Sequence, residues 1–310
     1  MKKKKSMYLL LAVLLILLLV YFGLQAYNKK QQEKESKKAE AEKVKVTDVD
    51  TDSMEELSYT NGSTTMDFTK KDGTWYVKDD QDFPLAQSSV ESMVNSAGQL
   101  TAVRKLDDID ELSDYGLDQP QYTITLTNEN GSKTELLVGN ATGEDYYVKA
   151  EGKDTVYTID STLVQGLVFK LDDLLQMETF PAISASNITK VVITQNGTET
   201  TYKPEDNEDA VDTIGGGLGA VSFKKCVDYS LTDDKLSQYG LDEASRIKVA
   251  VTYKDSSKEK QTAVFYIGKT MTEDNTVYHY VQLDGSKMVN LVAESTIKNV
   301  LNQNTDKTEE

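Results

Sequence analysis

The hydrophobic and polar positions of this chain alternate in short runs, which predict β-strands joined by tight turns. Tyr122, Ile124 and Leu126 lie two residues apart, so a strand would place all three on the same face. Asn130-Gly131, a pair typical of hairpin turns, then leads into a second apolar run. Such hairpins recur along the chain without the alternation of strand and helix that marks parallel sheets. The pattern therefore predicts an α+β fold of antiparallel β-hairpins with packed helices.

Helical periodicity appears between these hairpins. Ser88 and Glu91 have the spacing of a capping box, and the apolar residues that follow recur at i, i+3, i+4 and i+7. A second helix with a wide apolar face is expected over residues 160–175. In the later half, a helix over residues 209–218 is expected to break at Gly215–Gly217, because glycine is a poor helix former.

Two segments 124 residues apart carry nearly the same sequence. Residues 112–118 read Leu-Ser-Asp-Tyr-Gly-Leu-Asp, and residues 236–242 read Leu-Ser-Gln-Tyr-Gly-Leu-Asp. Downstream, the Leu-Val-Gly that ends at Gly139 returns as the Tyr-Ile-Gly that ends at Gly268. A period of this length indicates two tandem copies of a domain-sized unit. The predicted strand around Trp75 has no clear counterpart in the second copy.

The repeated Tyr-Gly-Leu-Asp segment has the pattern of a capped helical turn. Gly116 follows the predicted turn at residues 110–115, where a left-handed glycine would close it, and Leu117 would fold back onto the turn. Pro120 prevents the helix from continuing. This structural role is assigned to Tyr115, Gly116, Leu117, Asp118 and Pro120 in the first copy, and to Tyr239, Gly240, Leu241 and Asp242 in the second.

The first thirty residues predict a membrane anchor. Residues 7–27 form an uncharged run of 21 residues, about the length of a helix that spans a bilayer. Lys2–Lys5 favour a cytoplasmic N-terminus at residues 1–6 and an extracytoplasmic large domain. A cleaved signal peptide is the alternative, although Leu24-Gln25-Ala26 is a poor cleavage site. A lipoprotein would need a cysteine directly after the run, and the single cysteine is Cys226.

The remaining chain divides by composition. Residues 28–46 are rich in Lys, Glu and Gln, and they predict a charged stalk. Repeat unit one is expected over residues 47–180 and repeat unit two over residues 181–301. Residues 302–310 are polar and are expected to form a disordered tail.

The charge of the chain is unevenly distributed. The net charge is −17, yet residues 1–46 carry 11 Lys against 4 Glu, so residues 47–310 carry −24. Such a field opposes binding to nucleic acid and to anionic surfaces, and we expect no nucleic-acid partner. The simplest role of this charge is solubility, and recruitment of a cation or a basic partner is the alternative.

Residue types that support catalysis are scarce. His279 is the only histidine, so a histidine-based triad would have to include it. Cys226 is the only cysteine, which excludes a disulfide within the chain. The acidic runs Asp107–Glu111 and Glu205–Asp209 lack the spacing of an EF-hand, which leaves Ca²⁺ binding as a minor alternative. Gly215–Gly219 lacks the Lys-Ser/Thr of a phosphate-binding loop. We therefore predict no catalytic residue, no cofactor and no metal site.

The arrangement resembles the bacterial family called domain of unknown function 4340 (DUF4340). The resemblance rests on the N-terminal apolar segment, the Tyr-Gly-Leu-Asp-x-Pro of residues 115–120, the following Leu-Val-Gly and a Tyr-Tyr-Val hairpin, and it covers residues 50–300. The second copy departs from it, because Ala244 stands in place of the proline. Relatives are often encoded beside transporters of the ATP-binding cassette (ABC) type, including those associated with gliding motility. The resemblance therefore implies an accessory role at the membrane, and it offers no catalytic residues to carry over.

The sequence favours a non-catalytic, membrane-anchored extracytoplasmic module. It would act as an accessory or scaffold that contacts a membrane or envelope protein, such as an ABC-type transporter. A cell-wall or polysaccharide-binding module is the alternative, which a row of exposed aromatic side chains would indicate. A hydrolase with paired carboxylates is a third possibility and would need two acidic residues that face each other in a cleft. The oligomeric state stays open.

Overall fold

The computed structural model describes residues 44–107 and 109–303. The predicted cytoplasmic segment (residues 1–6), the predicted transmembrane helix (residues 7–27), most of the predicted stalk and the tail from residue 304 lie outside the described residues. Within the described ranges, no helix is both long and apolar enough to cross a membrane.

The chain divides into two compact units that are not strictly consecutive in sequence. The first combines the chain up to Trp75 with Ser88–Phe169, and the second combines Tyr76–Gln87 with the chain from Lys170 onward. Residues 76–87, which lie within the predicted bounds of repeat unit one (residues 47–180), are part of the second compact unit.

Long-range contacts explain why residues 76–87 belong to the second unit. The Ala86 N–H donates a hydrogen bond of 2.8 Å to the carbonyl of Leu174. The Phe83 ring meets the Tyr229 ring edge to face, with 5.1 Å between centroids, and the Tyr229 hydroxyl donates to the Asp80 carboxylate. These partners are nearly 90 to 150 residues away in sequence, so local patterns carry no sign of them.

The first unit is built on an eight-stranded sheet. Its strands are β1 (Met54–Thr60), β2 (Thr65–Lys71), β3 (Thr74–Val77), β4 (Arg104–Lys105), β5 (Tyr122–Asn128), β6 (Lys133–Thr142), β7 (Asp145–Ala150) and β8 (Tyr157–Asp160). They lie in the order β3-β2-β1-β5-β6-β7-β8-β4. The helical elements are α1 (Gln87–Gly98), the 3₁₀ turn η1 (Leu112–Tyr115) and α2 (Thr162–Gln165).

The second unit is built on a seven-stranded sheet. Its strands are β9 (Ile188–Gln195), β10 (Thr198–Tyr202), β11 (Cys226–Asp228), β12 (Ile247–Lys254), β13 (Lys260–Glu273), β14 (Thr276–Leu283) and β15 (Val289–Ala293). They lie in the order β10-β9-β12-β13-β14-β15-β11. The helical elements are η2 (Leu171–Leu174), α3 (Glu208–Gly219), η3 (Asp233–Lys235), α4 (Leu236–Tyr239) and α5 (Glu294–Val300).

The two sheets repeat one topology. If β3 is left out, the first order becomes identical to the second, with β2 and β10 at one end and β4 and β11 at the other. Neighbouring strands are antiparallel in both sheets. The α+β class and the internal repeat are therefore confirmed, and β3 has no counterpart among the described strands of the second sheet.

Helix α1 packs the apolar face that its periodicity predicts. Val90, Met93, Val94 and Ala97 are all buried. The helix begins at Gln87, so Ser88 lies inside the first turn and is not the N-cap residue. The predicted capping box is therefore wrong, although the helix and its buried face are correct.

The long helix expected over residues 160–175 does not form. Helix α2 ends at Gln165, and the carbonyl of Val168 accepts a 2.6 Å hydrogen bond from the Tyr59 hydroxyl. Downstream, Leu167 is buried from a segment outside any helix or strand and Leu174 from the separate 3₁₀ turn η2. The apolar residues of this segment are therefore buried from three different local structures and do not form one face of a single helix.

Helix α3 runs without interruption through the glycines that were expected to break it. A Cβ on Gly215 would overlap the main chain of Ala185, and a Cβ on Gly217 would lie 2.6 Å from the amide nitrogen of Val300 in α5. The glycines therefore allow the helix to pack against main chain at van der Waals distance. Tertiary packing outweighs their low helix propensity.

Candidate functional site

The Tyr-Gly-Leu-Asp segments close helical turns in both units. Gly116 and Gly240 have φ values of 67° and 66°, which lie in the left-handed region. The Leu117 N–H donates to the carbonyl of Leu112 at 2.9 Å, and the equivalent bond in the second unit is also 2.9 Å. A bond from the residue after the glycine back to the first turn residue is the mark of a Schellman-type cap.

Each capped turn lies directly on a glycine of a strand. A Cβ on Gly139 of β6 would overlap the carbonyl oxygen of Tyr115, and a Cβ on Gly268 of β13 would overlap that of Tyr239. The strand pairing shifts register next to both glycines, between Val138 and Ala141 and at the matching point of the second sheet. The main chain of the turn therefore packs on the main chain of the strand, where no side chain fits.

The motif tyrosines form a small hydrophobic cluster on each sheet. The rings of Tyr115 and Tyr147 meet edge to face at 4.9 Å and 68°, and the rings of Tyr239 and Tyr280 do so at 5.0 Å and 70°. Because Tyr147 is adjacent to the fully buried Val148, its side chain lies on the opposite face from the main core. The buried members are Tyr115, Leu117 and Val156 in the first unit, and Leu231, Tyr239, Leu241 and Val289 in the second.

The aspartates of the motif bond within their own loops. Asp118 is exposed, and its carboxylate accepts a hydrogen bond of 2.9 Å from the main-chain N–H of Gln119. The Asp242 carboxylate accepts one of 3.0 Å from the Ser245 hydroxyl. Pro120 is partly exposed and precedes β5 by two residues. The motif therefore organises local structure around a tyrosine and a leucine that are buried.

The single histidine is engaged with the main chain. His279 lies in β14, and its Nδ1 is 3.0 Å from the carbonyl oxygen of Gly268. This carbonyl belongs to the glycine that carries the second capped turn. The geometry gives His279 a structural contact at the irregular point of the β13–β14 pairing.

The single cysteine is a poor nucleophile in this setting. Cys226 is half-buried in β11, and its thiol donates to the carbonyl of Asp228 at 3.3 Å. Burial raises the pKa of the Cys226 thiol to about 11, and the nearby Glu178 and Asp228 carboxylates add to this. The reactive thiolate is therefore scarce at neutral pH.

A polar cluster in the second unit has no signal in the sequence. Asn290 of β15 is fully buried, and its side-chain amide donates to the Glu178 carboxylate at 2.8 Å, while within the described residues its Oδ1 has no hydrogen-bond partner. Nearby, the Tyr239 hydroxyl donates to the Asp228 carboxylate at 3.1 Å. Burial and then Asp228 raise the pKa of Tyr239 to about 12. Glu178 is distant in sequence from Asp228 of β11 and from Asn290 of β15. A motif with a fixed spacing therefore could not have predicted that these groups lie close together.

The two acidic runs differ in how much of each the structure describes. In residues 44–107 and 109–303, no group of three or more His, Cys, Asp or Glu side chains could hold a metal ion. The run at Glu205–Asp209 forms the turn that enters α3, where the amides of Asp206 and Asn207 donate to the carbonyl of Lys203. The run at Asp107–Glu111 includes Asp108, which lies outside the described residues.

The described surface offers no row of exposed aromatic rings. Among the residues that the structure describes, the exposed large apolar side chains are Val44, Val103 and Ile109, and none of them is aromatic.

The two units differ at one sheet edge. In the first unit β2 is covered by β3, which buries Trp75 with an exposed fraction of 2%. In the second unit β10 is the terminal strand, and no described strand pairs with its outer side. A groove of about 270 Å³ lies beside it, with walls that include Ile193, Tyr202 and Leu301. This edge is the feature that the repeat leaves open.

Comparison with known proteins agrees with a duplicated domain. The model of a family described as domain of unknown function (DUF4340) matches residues 75–210 and matches again at residues 200–309. The first match begins at Trp75 of β3 and ends inside α3. No curated protein and no solved structure matches the chain.

Proposed function

We propose that this chain, which belongs to the DUF4340 family and carries two copies of its domain, is a membrane-anchored module that works by binding another protein. It would hold its two repeat units on the extracytoplasmic side of the cell membrane. Its role would be that of an accessory or scaffold for a membrane or envelope system, such as an ABC-type transporter.

The observation that carries the proposal is the use of the residues shared by the two copies. Tyr115 and Tyr239 fill hydrophobic clusters, Gly116 and Gly240 close turns, and Gly139 and Gly268 support those turns. The residues that recur in both copies therefore stabilise the fold of each unit. Function is left to surfaces where the copies differ, as expected for a binding module.

The N-terminal sequence supports the anchored location. The apolar run of residues 7–27 has the length of a membrane-spanning helix, and Lys2–Lys5 precede it. The net charge of −24 over residues 47–310 would keep the units away from anionic lipid headgroups. A single membrane-spanning helix that carries acidic units outside the bilayer is consistent with both the apolar run and the negative charge.

Protease accessibility tests the topology. In intact, wall-stripped cells, external protease should digest the units, while a cytoplasmic marker protein in the same cells stays intact. Replacing residues 7–27 with a cleavable signal peptide should release the units into the medium. Protection of the units until the membrane is permeabilised would contradict the proposed topology.

Crosslinking in native membranes tests the partner. The full chain, treated with an amine-reactive crosslinker, should form a discrete product with a membrane or envelope protein. The same chain crosslinked after detergent dilution serves as the control for random collisions. Absence of any product above that control would contradict the scaffold role.

A further inference from the structure

We propose that the outer edge of β10 accepts an extended, cationic segment of a partner protein as an added β-strand, with an aromatic side chain in the groove beside it. This inference rests on the proposed binding function and names the surface and the chemistry of the partner. The position corresponds to the place of β3 in the first unit.

The repeat itself shows what covers this edge. β2 and β10 occupy the same place in their sheets, and β3 lies outside β2. β3 forms because Asp72-Gly73, with φ values of 49° and 82°, returns the chain in a tight turn. After β10 the chain instead turns at Lys203 into α3, where Pro204 lacks an amide hydrogen for pairing. The second unit therefore keeps the acceptor edge, and none of its described strands covers it.

The hydrogen-bonding groups of β10 are arranged to receive a strand. Asn196-Gly197, with φ values of 51° and 74°, form a two-residue turn that pairs Gln195 with Thr198. In an antiparallel pair, alternate residues direct their N–H and C=O toward the partner, so Glu199 and Thr201 direct theirs away from β9. These two residues present the donors and acceptors that an added strand would bind.

The groove beside β10 is the site that an aromatic ring would fill. Tyr202 is the counterpart of Phe68, because each pairs with the equivalent core residue of the next strand. In the first unit Phe68 is buried at 1% exposure beneath the covered edge, while in the second Tyr202 is only half-buried. Ile193 and Leu301 complete the apolar wall. An inserted aromatic ring would remove this apolar surface from water. In the first unit the strand at this place, β3, carries the buried aromatic residue Trp75.

The charge near this edge selects a cationic partner over a second copy. Glu199 lies on β10, and the acidic run Glu205–Asp209 follows the strand directly, with Lys203 paired to Glu205 at 3.8 Å. Two copies of the chain each carry −24 over residues 47–310, and this charge opposes their association. A basic segment would instead be attracted to the edge.

A peptide from this chain serves as the probe. Residues 70–78 (Lys-Lys-Asp-Gly-Thr-Trp-Tyr-Val-Lys) contain the β3 strand, its aromatic residues, three Lys and one Asp. The labelled peptide is titrated by fluorescence anisotropy against the full chain in detergent micelles. Binding is compared with that of the same peptide in which alanine replaces the tryptophan, which should bind more weakly.

Variants at Thr201 isolate the edge hydrogen bonds. Thr201→Pro removes an N–H that points away from β9, so it spares the existing ladder and blocks an added strand. Thr201→Val keeps that N–H and is the matched control. We expect Thr201→Val to bind like the wild type and Thr201→Pro to bind on the order of tenfold more weakly, because the substitution removes one hydrogen bond and its ring obstructs the approach of an added strand. Glu199→Lys, which leaves the backbone intact, should also weaken binding, and circular dichroism verifies the fold of each variant.

Three outcomes would overturn the inference. The first is equal peptide binding by the wild type, Thr201→Pro and Glu199→Lys. The second is a dimer of the wild type that Thr201→Pro dissociates, which would assign the edge to a second copy. The third is a partner crosslinked equally well to the wild type and Thr201→Pro, which would reject the β10 inference and leave the proposed function standing. Failure of the wild type to crosslink any partner would instead reject the proposed function.

Discussion

The carbonyl oxygen of Tyr115 lies against the Cα of Gly139, in a space where a β-carbon would overlap it. The same β-carbon would be 3.0 Å from the carbonyl carbon of Gly116. Tyr239 and Gly268 repeat the relationship in the second unit. The two parts of the repeated signature, Tyr-Gly-Leu-Asp and the later glycine of a strand, are therefore the two sides of one backbone contact.

Substitution of the supporting glycine should destabilise its unit. Gly139→Ala is expected to lower the free energy of unfolding by about 1–3 kcal/mol, because the methyl group meets main-chain atoms that no rotamer change can move. Denaturant unfolding followed by the fluorescence of Trp75, the only tryptophan, reports on the first unit. Gly268→Ala should have the same effect on the second unit, followed by circular dichroism.

Gly166→Ala is the control for these substitutions. Gly166 has a φ of −75°, and its nearest neighbours to a new β-carbon are 3.4 Å away. The change should therefore stay within about 0.5 kcal/mol of the wild type. Equal stability of Gly139→Ala and Gly166→Ala would refute the backbone contact.

The left-handed cap should discriminate between substituted side chains. Gly116→Val is expected to cost at least about 1 kcal/mol of unfolding free energy, because a β-branched residue is strained at a φ of 67°. Its β-carbon would also lie 2.5 Å from the Asn140 Oδ1 atom. Gly116→Asn should cost less, since asparagine tolerates this conformation. Thermal unfolding of the three proteins provides the comparison, and an equal loss for Val and Asn would argue against backbone strain.

The three glycines in the middle of α3 should respond in opposite directions. Gly216 is exposed with nothing within 4 Å of a new β-carbon, so Gly216→Ala should stabilise the protein by up to about 1 kcal/mol through helix propensity. Gly215→Ala and Gly217→Ala should each destabilise it by about 1–3 kcal/mol, because their methyl groups meet the main chain of Ala185 and Val300. Urea midpoints measure all three. Stabilisation by all three would mean that α3 does not pack closely on these segments.

The Cys226 thiol should react slowly with alkylating reagents and should ionise only at high pH. Its pKa of about 11, against a usual value of 9, means about a hundredfold less thiolate at pH 8. Alkylation by iodoacetamide, followed by mass spectrometry, should still accelerate between pH 9 and pH 11, whereas the rate for protein unfolded in guanidinium chloride should reach half its maximum near pH 9 and level off above it. A folded protein whose rate reaches half its maximum at or below pH 9 would contradict this burial.

The same shift has a consequence for stability at high pH. Because the unfolded thiol ionises near pH 9 and the folded thiol near pH 11, its contribution to stability is complete below pH 9. That contribution falls as the pH rises toward 11. The unfolding free energy of Cys226→Ser should therefore lose less than that of the wild type between these two pH values.

Local patterns were sufficient for much of the fold. The alternation of Tyr122, Ile124 and Leu126 indicated β5, since the side chains of a strand change face at every residue. The spacing from Val90 to Ala97 indicated the buried face of α1. The recurrence of Tyr-Gly-Leu-Asp indicated the duplication. The two periodicities depend on residues close together in sequence, and the duplication depends on comparing two short segments of the chain.

Contacts between distant residues governed the remainder. The chain around Val168 is non-helical while its carbonyl binds the Tyr59 hydroxyl 109 residues away, and α3 continues through Gly215 against the main chain of Ala185. The contact of the Tyr115 carbonyl with Gly139 and the unpaired edge of β10 likewise depend on how the strands are arranged in the sheets. Periodicity reports which residues are apolar, whereas the approach of two backbones depends on partners that local spacing does not encode. Packing in three dimensions therefore decided that Gly215 and Gly217 let α3 approach Ala185 and Val300 closely and do not break the helix.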